Sequence, residues 1–389
     1  MGLAFWSSGD LEEGHLAYSQ CVRGLRRIGH VSVVMVCSIA LADIRRTQGR
    51  LRGAMRTYKQ ALQQAAEQGG SLVRGAADMY VGISELHRER NDLPAALHDL
   101  QRSQELGQHA GLPQNRYRWC VGMARVRQAQ GDLAGELDLL DEAERLYISD
   151  FFPNVRPISA MKARAWIAQG RLGEALSWAS EQGLSPEDNL SYLREFEHVT
   201  LARLLLAQYP SERTERSIHQ AVGFLDRLSR AADEGQRAGS ALEILVLQAV
   251  ANQMRDNVSA ALSPLERALT LAEPEGYVRI FVDQGPPIAA LLEAAAERGI
   301  AASYVRRLLG AFDKGEPGTP VRQDLIDPLS ERELDVLRLL ATDLDGPDIA
   351  RQLVVSLNTV RTHTKNIYAK LGVNNRRAAV RRAGELDLL

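Results

Sequence analysis

Apolar residues recur three and four positions apart along most of this chain, the spacing that lays one stripe along an α-helix. A short phrase cuts the stripes at regular intervals: Gly9-Asp10-Leu11, Gly49-Arg50-Leu51, Asn91-Asp92-Leu93, Gly131-Asp132-Leu133 and Gly170-Arg171-Leu172, spaced 40, 42, 40 and 39 residues apart. Each phrase closes one helical stretch and opens the next, with Gly, Asn or Asp supplying a tight turn. Asp256-Asn257-Val258 follows 86 residues after Gly170 and predicts two further units, with a degenerate phrase near Gln208 to Ser211. About seven units are expected.

Five positions into most phrases stands a small residue, Gly14, Ala54, Ala96, Ala175 or Ala261, and Met55, Leu97, Leu176 or Leu262 comes next. Small residues let paired helices approach closely. Glu136 holds that place in the fourth unit and breaks the pattern. A helical hairpin of this kind cannot bury its stripe alone, so hairpins stack into a solenoid with a long concave surface. Met1 to Ser8 reads as the end of a hairpin's first helix, so the chain is expected to begin inside a repeat and to expose apolar surface there.

The last sixty residues follow a different rule. Ser330-Glu331-Arg332-Glu333 has capping-box form before Leu334, Leu337 and Leu340, predicting a helix to about Thr342. Asp345-Gly346-Pro347-Asp348 opens a short helix carrying Ile349, Ala350 and Leu353. After Val354-Val355 a longer helix runs from Ser356, a plausible N-cap whose first turn also suits a phosphate, to Gly372. On that helix Val360, Thr364, Ile367 and Leu371 fall on one side, and Asn358, Thr362, Lys365 and Ala369 on the other, flanked by Arg361 and Asn366. The apolar side suits docking on a small bundle, and the polar side offers donors to base edges and phosphates. A fourth helix, Arg376 to Glu385, places Ala379, Val380 and Ala383 together. Between the two regions Asp313 to Pro328 is rich in Pro and Gly and reads as a linker.

Composition sharpens this picture. Few aromatic and β-branched residues favour an all-α fold. The formal net charge of the 389-residue chain is −2, yet Ile349 to Gly384 holds eight Lys or Arg and no Asp or Glu. Basic residues gather where a polyanion has to sit. No apolar run approaches a membrane span, and no signal peptide is evident, so no membrane partner and a cytoplasmic location are expected. Cys21, Cys37 and Cys120 are far apart and read as buried small hydrophobes. His87, His98 and His109 fall on successive elements, and no metal or other cofactor is expected. Asp138, Asp141, Glu142 and Glu144 read as a solvated face, and no catalytic constellation stands out, so an enzyme is not expected. Gly310 to Gly315 is followed by Glu316-Pro317, not the Lys and Ser or Thr of a phosphate-binding loop.

Leu329 to Ala341, Ile349 to Leu353, Asn358-Thr359-Val360-Arg361-Thr362-His363 and Lys365 to Gly372 together resemble the LuxR-type helix-turn-helix over its full length. That resemblance implies a four-helix module whose third helix enters the major groove of double-stranded DNA. It assigns base contacts to Arg361, Thr362 and Lys365, with Asn358 beside them, and phosphate contacts to Ser356, Thr359, Lys370, Arg376 and Arg377. Dimerisation through the fourth helix, at Ala379, Val380 and Ala383, is implied as well. The sequence departs from the family pattern at Asp343, at Gly346-Pro347 and at Thr364, which touches the phosphate contacts of the second helix. The repeats are similar to tetratricopeptide repeats with a longer period. Together with the segment Ala272 to Ile288, they resemble the C-terminal part of the large ATP-binding LuxR-type regulators, the group of the maltose-operon activator.

The expected domains are therefore a tetratricopeptide-like repeat domain at 1–312, a linker at 313–328 and a LuxR-type helix-turn-helix at 329–389. The resemblance implies a bacterial transcriptional regulator, an activator, bound to promoter DNA as a homodimer and meeting RNA polymerase there. The repeat domain would sense a small-molecule or protein effector, with Tyr117 and Trp119, beside Arg116 and Arg118, as candidates for lining its groove. The alternative is a repeat scaffold for protein partners with weak, non-specific DNA binding, which steep salt dependence without sequence preference would mark.

Overall fold

The computed structural model describes residues 1–67, 73–149, 152–212, 214–312, 331–342, 344–353, 355–371, 373, 375–376 and 379–380, and every regular element among them is helical. The chain forms two compact units, 1–316 and 317–389. The expected linker, 313–328, lies outside the described residues.

In the first unit the helices pair as α1 (Gly2–Ser8) with α2 (Leu11–Arg27), α3 (Val31–Thr47) with α4 (Leu51–Glu67), and α5 (Ala76–Glu89) with α6 (Leu93–Ala110). The pairs α7 (Asn115–Ala129) and α8 (Leu133–Arg145), α9 (Ile158–Ala168) and α10 (Leu172–Glu181), and α11 (Glu195–Glu212) and α12 (Glu215–Glu234) follow. The array ends with α13 (Ala238–Gln253), α14 (Val258–Ala272), α15 (Arg279–Val282), α16 (Pro286–Glu297) and α17 (Ala302–Phe312).

The recurring phrase has a simple geometry. Its first residue takes a left-handed backbone, φ +77° at Gly49, +64° at Asn91, +80° at Gly131 and +56° at Asp256. The next amide then turns back onto the finished helix, as Asp92 N–H does onto the carbonyl of His87 at 2.9 Å and Asp132 N–H onto Arg127 at 3.0 Å. Where that next residue is Asp or Asn, its side chain caps the following helix: Asp92 accepts from Ala95 N–H at 3.1 Å, Asp132 from Gly135 at 2.9 Å and Asn257 from Ala260 at 2.9 Å. One phrase ends one helix and starts another. The small residues that follow are the inter-helix contacts, with Ala54, Ala96, Ala175 and Ala261 all fully buried.

The degenerate unit is placed differently from the expectation. Gln208 to Ser211 lies inside α11, with Pro210 in its last turn, and the chain turns near Thr214, which caps Ser217 N–H at 3.2 Å. A further turn of the same kind was hidden because Gln236, at φ +52°, replaces the usual Gly or Asn between α12 and α13.

The solenoid curves, as expected of such a stack, far enough to close on itself. The stack turns far enough for its two ends to share one apolar core, in which Met35, Ile39 and Leu51 meet Leu245, Leu265, Phe281 and Tyr304. Hydrogen bonds cross the seam: Val278 N–H donates to the Glu89 carbonyl at 2.8 Å, and Arg52 N–H to the Glu275 side-chain carboxylate at 2.7 Å. At the closest approach Gly239 lies against α3, where a Cβ would stand 2.7 Å from the Arg46 carbonyl oxygen. Much of the segment Ala272 to Ile288, including a 3₁₀ turn at Glu273–Glu275 and α15, folds onto α5 and its turn.

At the first hairpin Leu16 and, just past its end, Ile28 are exposed, while Trp6 is buried. The cysteine reading needs correction. Cys21 is exposed, and α2 and α3 bring its sulfur to 3.7 Å from that of Cys37.

Candidate functional site

The second unit is built on α18 (Glu331–Leu340), α19 (Gly346–Gln352) and α20 (Leu357–Leu371). α18 stops two residues short of Thr342, whose hydroxyl bonds back to the Leu339 carbonyl at 2.7 Å. Asp345 caps α19 by accepting from Asp348 N–H at 2.8 Å, with Pro347 in the first turn where its missing N–H costs nothing. Val336, Leu337, Ile349, Val360 and Ile367 form the apolar centre, so α20 buries the side that its sequence periodicity marks.

The opposite side of α20 faces outward. Arg361, Thr362, Lys365 and Asn366 are all exposed. Ser356 accepts from Thr359 N–H at 3.1 Å and its hydroxyl lies 2.8 Å from that of Thr359, so two hydroxyls and the free amides of the first turn share one exposed helix end. His363 and Thr364 are half-buried, and Thr364 spends its hydroxyl on the Val360 carbonyl at 2.8 Å. The side chains of Asn358 and Lys370, and all of Arg377 and Ala383, lie outside the described residues. In α19, Arg351 is held in an exposed ion pair with Asp348.

Two of the expected contact residues make contacts inside the module. The Arg376 guanidinium donates to three carbonyls at the end of α18 and the turn beyond it: Leu340 at 2.8 Å, Leu344 at 2.7 Å and Thr342 at 2.5 Å. The last carbonyls of a helix have no partner within it, and a planar fork with five donors satisfies several at once. Ala379, expected at a dimer contact, is fully buried in the module's own core, whereas Val380 is half-buried.

The first unit holds a half-open chamber of about 320 Å³, bordered by six arginines: Arg46, Arg88, Arg125, Arg156, Arg164 and Arg203. Arg156 also borders two neighbouring cavities, of about 160 and 40 Å³. Carboxylates in the wall are shared between arginines. Glu243 takes Arg164 at 2.8 Å and Arg203 at 2.9 Å; Glu89 takes Arg125 at 2.5 Å and Arg88 at 3.1 Å. Asp283 holds Arg88 and, at 2.5 Å, Arg279. Burial pushes the two glutamates up, but their arginine pairs outweigh it and hold each carboxyl at about 2.

Burial acts the other way on the cations, lowering Arg156 to about 10 and Arg164 to about 9, and neighbouring arginines add to the effect. Glu136, the misfit of the fourth unit, is raised to about 7 by burial, and one of its oxygens has no hydrogen-bond partner.

Of the two aromatic candidates, Tyr117 borders the 160 Å³ cavity, 5.1 Å from the Tyr147 ring. Trp119 is tied into the helix packing by its indole N–H, which donates to the Leu100 carbonyl at 2.8 Å. The sequence reading overlooked the arginines, although a signal was present. Arg46 and Arg88 stand three residues before the turn residues Gly49 and Asn91, and Arg125 and Arg164 six before Gly131 and Gly170. Three residues is one helical turn on one face. Among the described residues no cluster of potential metal ligands occurs.

Among the described residues, three helices with a buried stripe and an exposed basic face, in a chain that also holds an array of helical hairpins, define a helix-turn-helix protein with a repeat domain. Comparison with known families agrees. The chain belongs to the MalT-like TPR region family, matched over residues 1–298, and residues 327–383 match the bacterial regulatory proteins of the luxR family. It is 26% identical over 305 residues to the HTH-type transcriptional regulator MalT of Klebsiella pneumoniae (strain 342) and to that of Cronobacter sakazakii (strain ATCC BAA-894). In each case the match takes in 70% of this chain and 32% of the relative, so the chain spans about a third of the length of these regulators.

Proposed function

We propose that the protein is a DNA-binding transcriptional activator in which α20 reads the major groove and the closed repeat domain senses an effector. The observation that carries this reading is the division of α20: Val360 and Ile367 are sunk in the core, while Arg361, Thr362, Lys365 and Asn366 stand in solvent. Arg361 and Lys365 are one turn apart and suit guanine edges; Thr362 lies between them, and Asn358 precedes them on the same helix. Ser356 and Thr359, at the exposed helix end, would hold a phosphate, and Lys370 and Arg377 would add to that grip. Arg376 acts from inside, by fixing the end of α18 against the recognition helix. The domains are 1–312, 313–328 and 329–389, as the sequence lays them out.

A single small module makes few contacts, so two copies on paired half-sites give useful affinity, with Val380 and Ala383 as the remaining candidates for their contact. Activation implies an encounter with RNA polymerase. Among the described residues no helix is long and apolar enough to cross a membrane, which supports work in the cytoplasm. The protein acts by binding, not by catalysis, and needs no cofactor to do so.

Selection of bound duplexes from a random pool, with the intact chain and with residues 329–389 alone, tests the reading. Enrichment of paired half-sites about one helical turn apart supports it. Salt-dependent binding with no enrichment by either would favour a scaffold with non-specific DNA affinity.

A further inference from the structure

Arg156 and Arg164 stand over the same aromatic ring, with guanidinium carbons 5.8 and 3.7 Å from the centre of Phe196. Neither fork is used up. Arg164 gives one nitrogen to Glu243 at 2.8 Å and another to Thr200 at 2.8 Å, and its remaining terminal nitrogen is buried without a partner. Arg156 has no carboxylate within ion-pair reach among the described residues.

The whole chamber shows the same imbalance. Its six bordering arginines share Glu89, Glu243 and Asp283 on the wall, with Glu85 paired to Arg46 and Arg125 and Asp43 to Arg46, and Arg279 draws on Asp283 as well, so the cations still outnumber these carboxylates. Glu136 is the fourth carboxyl group on the wall, in surroundings that favour its protonated form. Cations in excess, partly withdrawn from bulk water, are costly unless an anion comes to them. Paired guanidinium forks bind carboxylate and phosphate oxygens in bidentate fashion. Leu140, Met161 and Ile167 give the same chamber an apolar side, against which a short carbon frame can lie.

We infer that the chamber binds a small organic polyanion, one acidic group of which is gripped by Arg156 and Arg164. This rests on the reading of the repeat domain as a sensor and adds the chemical class of what it senses. The arginines come from α3, α5, α7, α9 and α11 and from the segment before α9, and Asp283 from beyond α15. A ligand that discharges them draws together walls from both ends of the solenoid. It therefore stabilises the closed form.

The test uses the intact chain at constant ionic strength, by calorimetric titration and thermal unfolding, with four probes: glucose, glucose 6-phosphate, pyrophosphate and tricarballylate. At least one anion is expected to bind with unit stoichiometry and to raise the unfolding midpoint, while glucose does neither. A response to tricarballylate alone identifies a carboxylate ligand; a response to the phosphates alone identifies a phosphate ester; either supports the inference. Arg156→Gln should lose at least about tenfold in affinity for that anion, and Arg156→Lys, which keeps the charge but not the fork, should also bind it more weakly. If Arg156→Gln does not fold, Arg156→Lys carries the comparison.

No response to any anion, equal binding of glucose and its phosphate, or full affinity in the folded variants would overturn the inference. Binding of glucose alone would also overturn it, while leaving an effector-sensing repeat domain in place. The sensor reading has its own separate check, in whether residues 1–312 alter DNA binding by the module.

Discussion

The indole N–H of Trp6 donates to the hydroxyl of Tyr192 at 3.0 Å, a buried bond between residues 186 positions apart. It ties the first hairpin to the turn that leads into α11, and it is one of several cross-links that make the repeat array a closed body. Tyr192→Phe keeps the ring and leaves the indole donor without its acceptor. The variant should lose about 1–2 kcal/mol of stability in chemical denaturation. An unchanged midpoint would mean that the hydroxyl contributes nothing to closure.

Glu136 gives the repeat domain a pH dependence of definite sign. A glutamate in an unfolded chain ionises near 4.3, whereas this one is raised to about 7. Between those values the folded protein holds a proton that the unfolded chain has released. Stability from this group is therefore greatest below pH ~4 and falls as pH rises through the window, levelling off above it. Glu136→Gln should remove that fall and gain on the order of 3–4 kcal/mol over the wild type at pH 8. Parallel stability curves for the two proteins between pH 5 and 8 would show that burial of Glu136 is not felt in this way.

Arg376 offers a choice between two tasks that different substitutions separate. As a cap on the carbonyls of Leu340, Thr342 and Leu344 it needs its fork; as a phosphate contact it would need only its charge. Arg376→Lys and Arg376→Ala should both destabilise the DNA-binding module, by about 1–3 kcal/mol. A lysine variant with wild-type thermal stability and wild-type DNA affinity would return Arg376 to the phosphate backbone.

Much of this fold was legible because the turns demand particular residues. A left-handed backbone between two helices favours Gly, Asn or Asp, so Gly49, Asn91 and Asp256 announced their hairpins. Gln236 adopts the same conformation without the tell-tale residue type, and that turn stayed hidden. The alternation along α20 was equally legible, since burial of Val360 and Ile367 needs only helical periodicity. Closure of the solenoid was not. It follows from small rotations accumulated over many hairpins and from contacts such as Gly239 against α3, which no local pattern encodes. Arginine was the hardest residue to read. The same side chain can cover a solvated helix face, line the chamber as Arg164 does, or cap carbonyls as Arg376 does, and only the surrounding backbone decides between them.

The central claim is that α20 reads base edges with Arg361 and Lys365. Its most direct test is equilibrium binding of the intact chain, wild type and the single variants Arg361→Ala and Lys365→Ala, to the duplex enriched by selection and to a scrambled duplex at one salt concentration. Each substitution should cost on the order of 1–3 kcal/mol on the selected duplex. It should cost distinctly less on the scrambled one, with helicity unchanged. Affinity for the selected duplex equal to wild type in both variants would contradict the assignment of this face to the major groove.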